Sequence, residues 1–377
     1  MCNYEVETSN IKMKMRKITM DVCSIATLLG IILTFASCKS KEEKIAEAIE
    51  LIKQEKVTEA IALYQEIEDV QDTVLLNSLA KVYADGKGVE QDSAKALSLF
   101  EKSANLGDPY AMVEFALAYE YAKAGFKEDN KKAFEWYMKA AELGYPRALR
   151  NAGFSYRDGN GIDKDPQKAI EYFKKAAEKG DVSAMYNLGL MYKDGVGILV
   201  NMEEAIKYLQ MAADKNNKDA LGDLAYLYDN GKGVKKDQKK AFELYLKGAE
   251  LGDAYCQQGV AYDYDNGIGV KKDAKKAVEW YLKAANQGNV YAMNNLGVKY
   301  AKGEGVEKNE SKAAEMYKMS AEKGNAVAQR NLGWLYYEGR CIQKNMKEAV
   351  KWFQKAAEQG DENAKSQLDY MSIVGEL

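Results

Sequence analysis

Apolar positions recur along this chain with the spacing of an α-helix. From residue 60 onward, alanine and aromatic residues fall three, four and seven positions apart, so that they share one face of a helix. Alanine is common and only 3 prolines are present, which favours helices throughout. The pattern therefore predicts an all-α protein whose short helices are joined by turns rich in glycine.

The helical pattern repeats with a period of 36 residues. Each interval is 36 residues except the one from Ala96 to Ala133, which is 37. The alanine that marks the period stands at Ala60, Ala96, Ala133, Ala169, Ala205, Ala241, Ala277, Ala313 and Ala349. A fixed period of this length is typical of a solenoid, in which each unit buries its apolar face against its neighbours. We predict about nine helix-turn-helix units.

Each unit is predicted to contain two helices, which we call A and B. Helix A reads Ala-x-x-aromatic-aromatic-x-x-Ala-Ala, as in residues 133–141. A glycine such as Gly180 is predicted to end it in the left-handed conformation, and the next residue, here Asp181, is predicted to cap helix B. One dipeptide thus stops one helix and starts the next.

Helix B reads Ala-x-x-Asn-Leu-Gly-x-x-Tyr, as in residues 292–300, and its glycines are predicted to let a neighbouring helix approach closely. A Gly-x-Gly turn follows in most copies. An Asp or Asn then occupies one position in every copy and is predicted to cap the next helix A: Asp92, Asp129, Asp165, Asn201, Asp237, Asp273, Asn309 and Asn345. Because these turns recur with the unit, we interpret them as structural and not as phosphate or calcium sites.

The combined motif resembles the Sel1-like repeat (SLR), a relative of the tetratricopeptide repeat, over residues 56–370. The resemblance implies a right-handed α/α superhelical solenoid that acts as an adaptor for protein complexes, often in bacterial envelopes. The first and last units depart from the motif in the manner of terminal caps. Three internal places also depart from it, namely residues 122–126, Asn216-Asn217 and Arg340-Cys341, and we expect information about partners there.

The N-terminal residues 1–37 are predicted to be a signal peptide. A basic patch at residues 12–17 precedes an apolar run at residues 22–35 that is too short to span a bilayer comfortably. The run ends in Leu-Thr-Phe-Ala-Ser-Cys, which resembles the lipobox of bacterial lipoproteins and makes Cys38 the predicted lipidation site. A plain secretory peptide and an uncleaved anchor are the alternatives. The segment before Met13 or Met15 is predicted to be an upstream extension from a misassigned start codon.

Residues 38–55 are predicted to be a linker with a short helical run at residues 45–52, and residues 371–377 a C-terminal tail. The linker begins with a charged run at residues 39–44. In some Bacteroidetes-type lipoproteins such a run resembles a surface-export signal. A solvated tether or the start of a helix is the alternative.

Composition narrows the possible chemistry. The 54 Lys and Arg nearly balance the 57 Asp and Glu, leaving a formal charge of -3, which argues against a nucleic-acid binder. The absence of histidine removes the commonest general base and the usual zinc ligand. Only Cys256 and Cys341 lie within the repeats, too far apart for a disulfide framework. We predict no catalytic residues, no metal and no cofactor.

Aromatic pairs in the A helices supply the candidate binding residues. Adjacent residues on a helix cannot point the same way, so one member of each pair is a candidate for the groove, where tyrosine serves as an anchor. The candidates are Tyr137, Tyr245, Tyr281 and Tyr317. The alternative is that both members of a pair pack in the seam between helices.

Together these features predict a non-enzymatic scaffold for protein–protein interaction in the bacterial cell envelope. The chain is expected to be a monomer, tethered through lipidated Cys38 and facing the periplasm or the cell exterior, with other envelope proteins or peptides as partners. A carbohydrate or peptidoglycan binder that uses exposed aromatic residues is the first alternative. The resemblance also leaves open a cell-wall or β-lactam-related hydrolase.

Overall fold

The structure, a computed structural model, describes residues 39–125 and 127–375. The predicted signal peptide and Cys38 lie outside the described residues. Within them the chain forms nineteen α-helices and one short 3-10 turn (Lys123–Gly125), with no strand. The predicted all-α solenoid of tandem repeats is confirmed.

Most helices have the same length of 13 residues, as the period requires. In chain order they are α1 (Lys41–Lys53), α2 (Val57–Gln65), α3 (Thr73–Asp85), α4 (Ser93–Asn105), α5 (Pro109–Glu120), α6 (Asn130–Glu142), α7 (Pro146–Asp158), α8 (Pro166–Glu178), α9 (Val182–Asp194), α10 (Met202–Asp214), α11 (Lys218–Asn230), α12 (Gln238–Glu250), α13 (Ala254–Asn266), α14 (Ala274–Asn286), α15 (Val290–Lys302), α16 (Glu310–Glu322), α17 (Ala326–Glu338), α18 (Met346–Glu358) and α19 (Glu362–Ile373). The even-numbered helices are the A helices, and the odd-numbered helices from α3 onward are the B helices.

The chain divides into two compact units, which end and begin at Ala148 and Leu149. The first unit contains α1 to α6, the second contains α8 to α19, and α7 crosses the division in sequence. In the described part of the chain no helix is long and apolar enough to cross a membrane.

The turns form as the sequence predicts. After α8, Gly180 adopts a left-handed φ of 89°, and the Asp181 carboxylate accepts a hydrogen bond of 2.8 Å from the Ala184 backbone N–H. All eight predicted A-helix caps accept a bond from the third residue of their helix. Each bond satisfies one of the N–H groups that the first turn of a helix leaves unpaired.

Each B helix packs closely against the A helix that follows it, and glycine makes this approach possible. A Cβ added at Gly189 would lie 2.7 Å from the Leu209 side chain. One added at Gly333 would lie 2.8 Å from the Phe353 ring, which is fully buried. The predicted close approach at these glycines is confirmed. Buried marker alanines such as Ala277 fill the rest of the seam.

The short helical run predicted at residues 45–52 is part of a longer helix, α1 (Lys41–Lys53), which packs against α2 and α3 and buries Ala48 completely. The charged run starts this helix. Ser40 and Glu43 form a reciprocal capping box, and Lys44 pairs with Glu66 at 2.9 Å. At the other end, α19 runs past residue 370 and buries Met371, so the tail is shorter than predicted.

Two of the departures from the motif prove to be ordinary turn chemistry. Asn216 takes the left-handed conformation of the missing glycine, with φ of 62°, and Asn217 caps α11 as an Asp would. Asparagine tolerates this conformation better than most residues. Cys341 takes the place of the second glycine of its turn with φ of 51°, and Arg340 beside it borders a cavity described below.

Candidate functional site

One face of each B helix combines side chains that vary between copies with the Asn of the repeat motif. Counted from the N-cap, the sixth, ninth, tenth and thirteenth residues lie within an arc of about 100° on the helix surface. We call these four positions the groove face. They are Ser78, Lys81, Val82 and Asp85 in α3; Gly259, Tyr262, Asp263 and Asn266 in α13; Asn295, Val298, Lys299 and Lys302 in α15; and Asn331, Trp334, Leu335 and Glu338 in α17.

Three cavities border the groove face, and each is lined by all four of its positions. In the first unit a cavity of about 350 Å³ lies over α3, with Ile52 of α1 and Val57 of α2 on its other side. In the second unit, cavities of about 340 and 290 Å³ lie over α15 and α17. The same register thus produces a concave site in three different copies.

The cavity over α15 contains a cation supplied by the chain itself. The Lys299 ammonium pairs with Asp265 of the preceding B helix and with Glu304, the latter at 2.8 Å, and its side chain is only 7% exposed. Burial alone would lower the pKa of Lys299, but hydrogen bonds to the two carboxylates outweigh it and raise the pKa. The carboxylates at this site therefore already have a cation from the chain itself.

The cavity over α17 combines an aromatic wall with polar groups. Trp334 is half-buried and packs edge-on against Phe353, with ring centroids 5.4 Å apart. Arg340 at the rim pairs with Glu338 at 3.2 Å and with Glu310 at 3.5 Å. Tryptophan and arginine are common anchors of protein interfaces.

A chain of amides joins these two cavities. The Asn331 Nδ2 donates to Asn294 Oδ1 at 3.0 Å, and the Asn294 Nδ2 donates to Asn295 Oδ1 at 3.2 Å. The Asn295 Nδ2 then donates to the Tyr281 hydroxyl at 3.2 Å. These bonds hold the amide side chains at fixed positions, as a pre-organised binding face requires.

All four tyrosines that the sequence proposed as groove anchors are buried. Their exposed fractions are 2% for Tyr137, 6% for Tyr245, 0% for Tyr281 and 7% for Tyr317. Each follows a marker alanine by four residues and therefore shares its packed face. This burial favours the seam alternative for the rings, although Tyr281 and Tyr317 also contribute to the lining of the two cavities in the second unit.

The four tyrosines differ in the surroundings of their rings and hydroxyls. Tyr137 hydrogen-bonds with Glu120, and Tyr245 packs edge-on against Tyr255 with ring centroids 6.0 Å apart. Burial raises the pKa of the Tyr317 hydroxyl to about 12, so it stays protonated and able to donate at neutral pH. Their role in partner binding stays a prediction, and we draw further candidates from the groove face.

The groove-face residues were not singled out from the sequence. The signal was present at the ninth and tenth positions of helix B, which lie between a small residue and a Tyr that hardly change. In four successive copies these two positions read Tyr226-Leu227, Tyr262-Asp263, Val298-Lys299 and Trp334-Leu335. A variable position inside a constant repeat indicates a surface that the fold does not need for itself.

The pattern of helices and turns corresponds to a known family. The Sel1 repeat model matches eight consecutive segments, residues 76–108, 109–145, 146–181, 182–217, 218–253, 254–289, 290–325 and 326–361. The chain belongs to the Sel1 repeat family. Each matched segment begins in or at a B helix and ends after the following A helix, which is the closely packed pair seen in the structure. Sel1 repeats generally mediate interactions between proteins and are generally not enzymes.

Two solved Sel1-type structures illustrate the relationship. A protective antigen of uropathogenic Escherichia coli strains that displays an SLR fold is 31% identical to this chain, with a TM-score of 0.73 over 86% of this chain and 67% of that one. A Sel1 repeat protein from Oxalobacter formigenes is 34% identical, with a TM-score of 0.59 over 67% of this chain and 100% of that one. No curated protein sequence matches the chain.

Proposed function

We propose that this Sel1 repeat protein is a non-enzymatic scaffold of the bacterial cell envelope that binds extended segments of partner proteins along the groove face. The observation that carries the proposal is the recurrence of a cavity at the same four positions in three copies. Core and turn positions repeat because the fold needs them, whereas the ninth and tenth positions of the groove face differ from copy to copy. Such variation suits a surface that recognises a specific sequence.

The size and spacing of the cavities favour an extended polypeptide as the partner. Each cavity, at about 290 to 350 Å³, is at the lower limit of small-ligand pockets and fits a single side chain. The cavities over α15 and α17 lie on successive B helices, so one extended chain that crosses both helices would reach both sites. In the described residues, no group of three or more Cys, Asp or Glu side chains is arranged to hold a metal ion.

The envelope location rests on the N-terminal sequence, with Cys38 as the lipid-bearing residue and residues 1–37 as the signal peptide. The similarity to a protein described as a protective antigen of Escherichia coli supports this proposal. We propose a monomer held at the membrane surface by the lipid, with the repeats facing the periplasm or the cell exterior.

A pair of matched glutamates tests the groove. Glu338 and Glu322 each end a helix, are exposed and pair with a neighbouring cation, but only Glu338 belongs to the groove face. A photo-crosslinking amino acid at position 338, introduced in the native cell, should give adducts with discrete proteins that position 322 does not give. Equal adducts at both positions, or none at 338, would contradict the proposal. Mass spectrometry would identify the partners.

A further inference from the structure

Asp263 of α13 is a buried carboxylate without a partner of opposite charge. Its exposed fraction is 4%, and no side chain of the described residues pairs with it or donates a hydrogen bond to it. Burial, and then the nearby Asp229, raise its pKa to about 7. A carboxylate in this position is costly to the fold unless a proton or a cation neutralises it.

The repeat places Asp263 on the groove face. Val82, Lys299 and Leu335 occupy the same tenth position in their helices, and each lines a cavity. Residues 72 positions before the lining of the α17 cavity are Asp229, Gln238, Tyr245, Gly259 and Tyr262. The surroundings of Asp263 thus have the layout of the α17 cavity, with glycine in place of the Asn331 amide.

The next copy shows what the Asp263 site lacks. There the equivalent residue is Lys299, whose ammonium neutralises Asp265, the counterpart of Asp229. At the Asp263 site, Asp229 accepts only a neutral hydrogen bond from Gln238, at 3.2 Å. Helix α13 itself contains two aspartates and no lysine or arginine. Asp263 and Asp229 therefore share this site, and no Lys or Arg of the described residues pairs with either carboxylate.

An exposed aromatic residue, Tyr262, is the groove-face neighbour of Asp263 and also lines the α15 cavity. Tyr262 is 46% exposed, and among the described residues no cation is stacked on its ring. The equivalent residue one copy earlier, Tyr226, already has a cation from the chain itself: the Lys232 ammonium lies 4.8 Å from its ring centroid and donates to its hydroxyl at 2.8 Å. Carboxylates next to an exposed aromatic residue form the chemistry that recognises an ammonium or guanidinium group.

We propose that the groove face of α13 binds a lysine or arginine side chain of the partner polypeptide, with Asp263 and Asp229 as counter-ions and Tyr262 as the aromatic wall. This inference rests on the proposed scaffold function and specifies the chemistry of the partner at one copy. The partner's cation takes the place that Lys299 fills in the next copy. A polypeptide is favoured over a free amine because the cavity over α15, on the next B helix, continues the groove face beside this site.

The test uses the purified full chain and a library of peptides of about ten residues, which extend over roughly 33 Å. Each peptide has lysine, arginine or norleucine at its centre and only uncharged residues elsewhere. Fluorescence anisotropy measures their dissociation constants. Peptides with a central cation should bind at least about tenfold more tightly than their norleucine counterparts. Asp263→Asn should remove that preference, whereas Asp219→Asn, at an exposed carboxylate of α11, should change it less than about twofold.

Asp263→Lys provides a second variant whose fold is protected. It recreates the arrangement of the next copy by placing a lysine opposite Asp229, so the chain should keep its helical circular dichroism while the preference for basic peptides disappears. The inference is overturned if peptides bind without preferring a central cation, or if Asp263→Asn keeps the preference; either result leaves the scaffold function standing. A free amine such as spermidine that competes at equal concentration would overturn the polypeptide occupant. A library without any binder would overturn both proposals.

Discussion

The tyrosines of the A helices show how one step along a helix decides whether an aromatic side chain packs or is exposed. Tyr281 lies four residues after the marker Ala277, on the packed face, and is fully buried. Trp280, one residue earlier, is turned by about 100° and keeps part of its ring exposed beneath the Lys283 ammonium, 3.7 Å from the ring centroid. The motif specifies an aromatic pair but leaves open which member faces the seam.

The pKa of Asp263 leads to a prediction on stability. Below its unfolded pKa of about 4 the carboxyl is protonated in both states and has no effect. As the pH rises from about 4 through the folded pKa of about 7, the unfolded chain ionises first, so the folded state loses stability. Asp263→Asn avoids this loss. It should raise the free energy of unfolding by about 1–3 kcal/mol at about pH 8.5 and by nearly nothing at about pH 4.

Urea denaturation at the two pH values measures this difference. Asp219→Asn serves as the control and should change the free energy of unfolding by less than about 0.5 kcal/mol at either pH. A gain for Asp263→Asn that is the same at both pH values would contradict the assignment. The expected result couples stability to function, since the variant that is more stable is also the one that loses the basic peptide.

At the scale of the element, the contact between each B helix and the following A helix is the main packing unit. Gly297 brings α15 so close to α16 that an added Cβ would lie 2.7 Å from the Tyr317 ring. The same contact buries that ring and positions the groove face above it. The family pattern, which joins B to the next A, follows this packing and not the order A then B that the marker alanine suggests.

Two glycines in B helices compare this packing with a looser contact. Gly333→Ala would bring a methyl group to 2.8 Å from the fully buried Phe353 ring of the following A helix, which has no room to move. It should destabilise the protein by about 1–3 kcal/mol. Gly222 instead faces the next B helix, α13, where a Cβ would lie 2.9 Å from the Tyr255 ring and 3.3 Å from the Cys256 Sγ, but Tyr255 is 47% exposed and can move outward.

The Gly222→Ala variant should therefore stay within about 1 kcal/mol of the wild type, helped by the better helix propensity of alanine. Thermal and urea unfolding of the two variants checks the comparison. Equal losses at both positions would show that the fit against Phe353 is not what makes Gly333 necessary.

At the scale of the whole molecule, Cys38 is predicted to determine where the protein acts. Replacement by alanine should abolish incorporation of an alkyne fatty acid in bacterial cells and release the protein from the membrane fraction. Cys23→Ala, within the predicted signal peptide, should leave labelling unchanged. Labelling of the Cys38→Ala variant at the wild-type level would exclude Cys38 as the lipid-bearing residue. Loss of labelling in Cys38→Ala alone would show that a single lipid-modified residue holds the protein at the membrane.

Sequence reasoning predicted the periodic parts of the fold more completely than its exceptions. The sequence predicted the helix cap at Asp165, the helix end at Gly180 and the close helix contact at Gly189. Each of these features depends only on neighbours in the chain or on the next repeat. The packing of α1 was missed, because the apolar face of a single short helix does not show whether another helix lies against it.

The sequence by itself determined the class of fold, the period, the turns and the family, because these follow from local propensity and from a pattern repeated many times. Tertiary structure alone decided which face of the B helices stays open and which of two adjacent aromatic residues is covered. It also showed that Asp263 is buried without the cation that Lys299 supplies one copy later. These properties depend on side chains brought together from different repeats, and no local pattern specifies those distances.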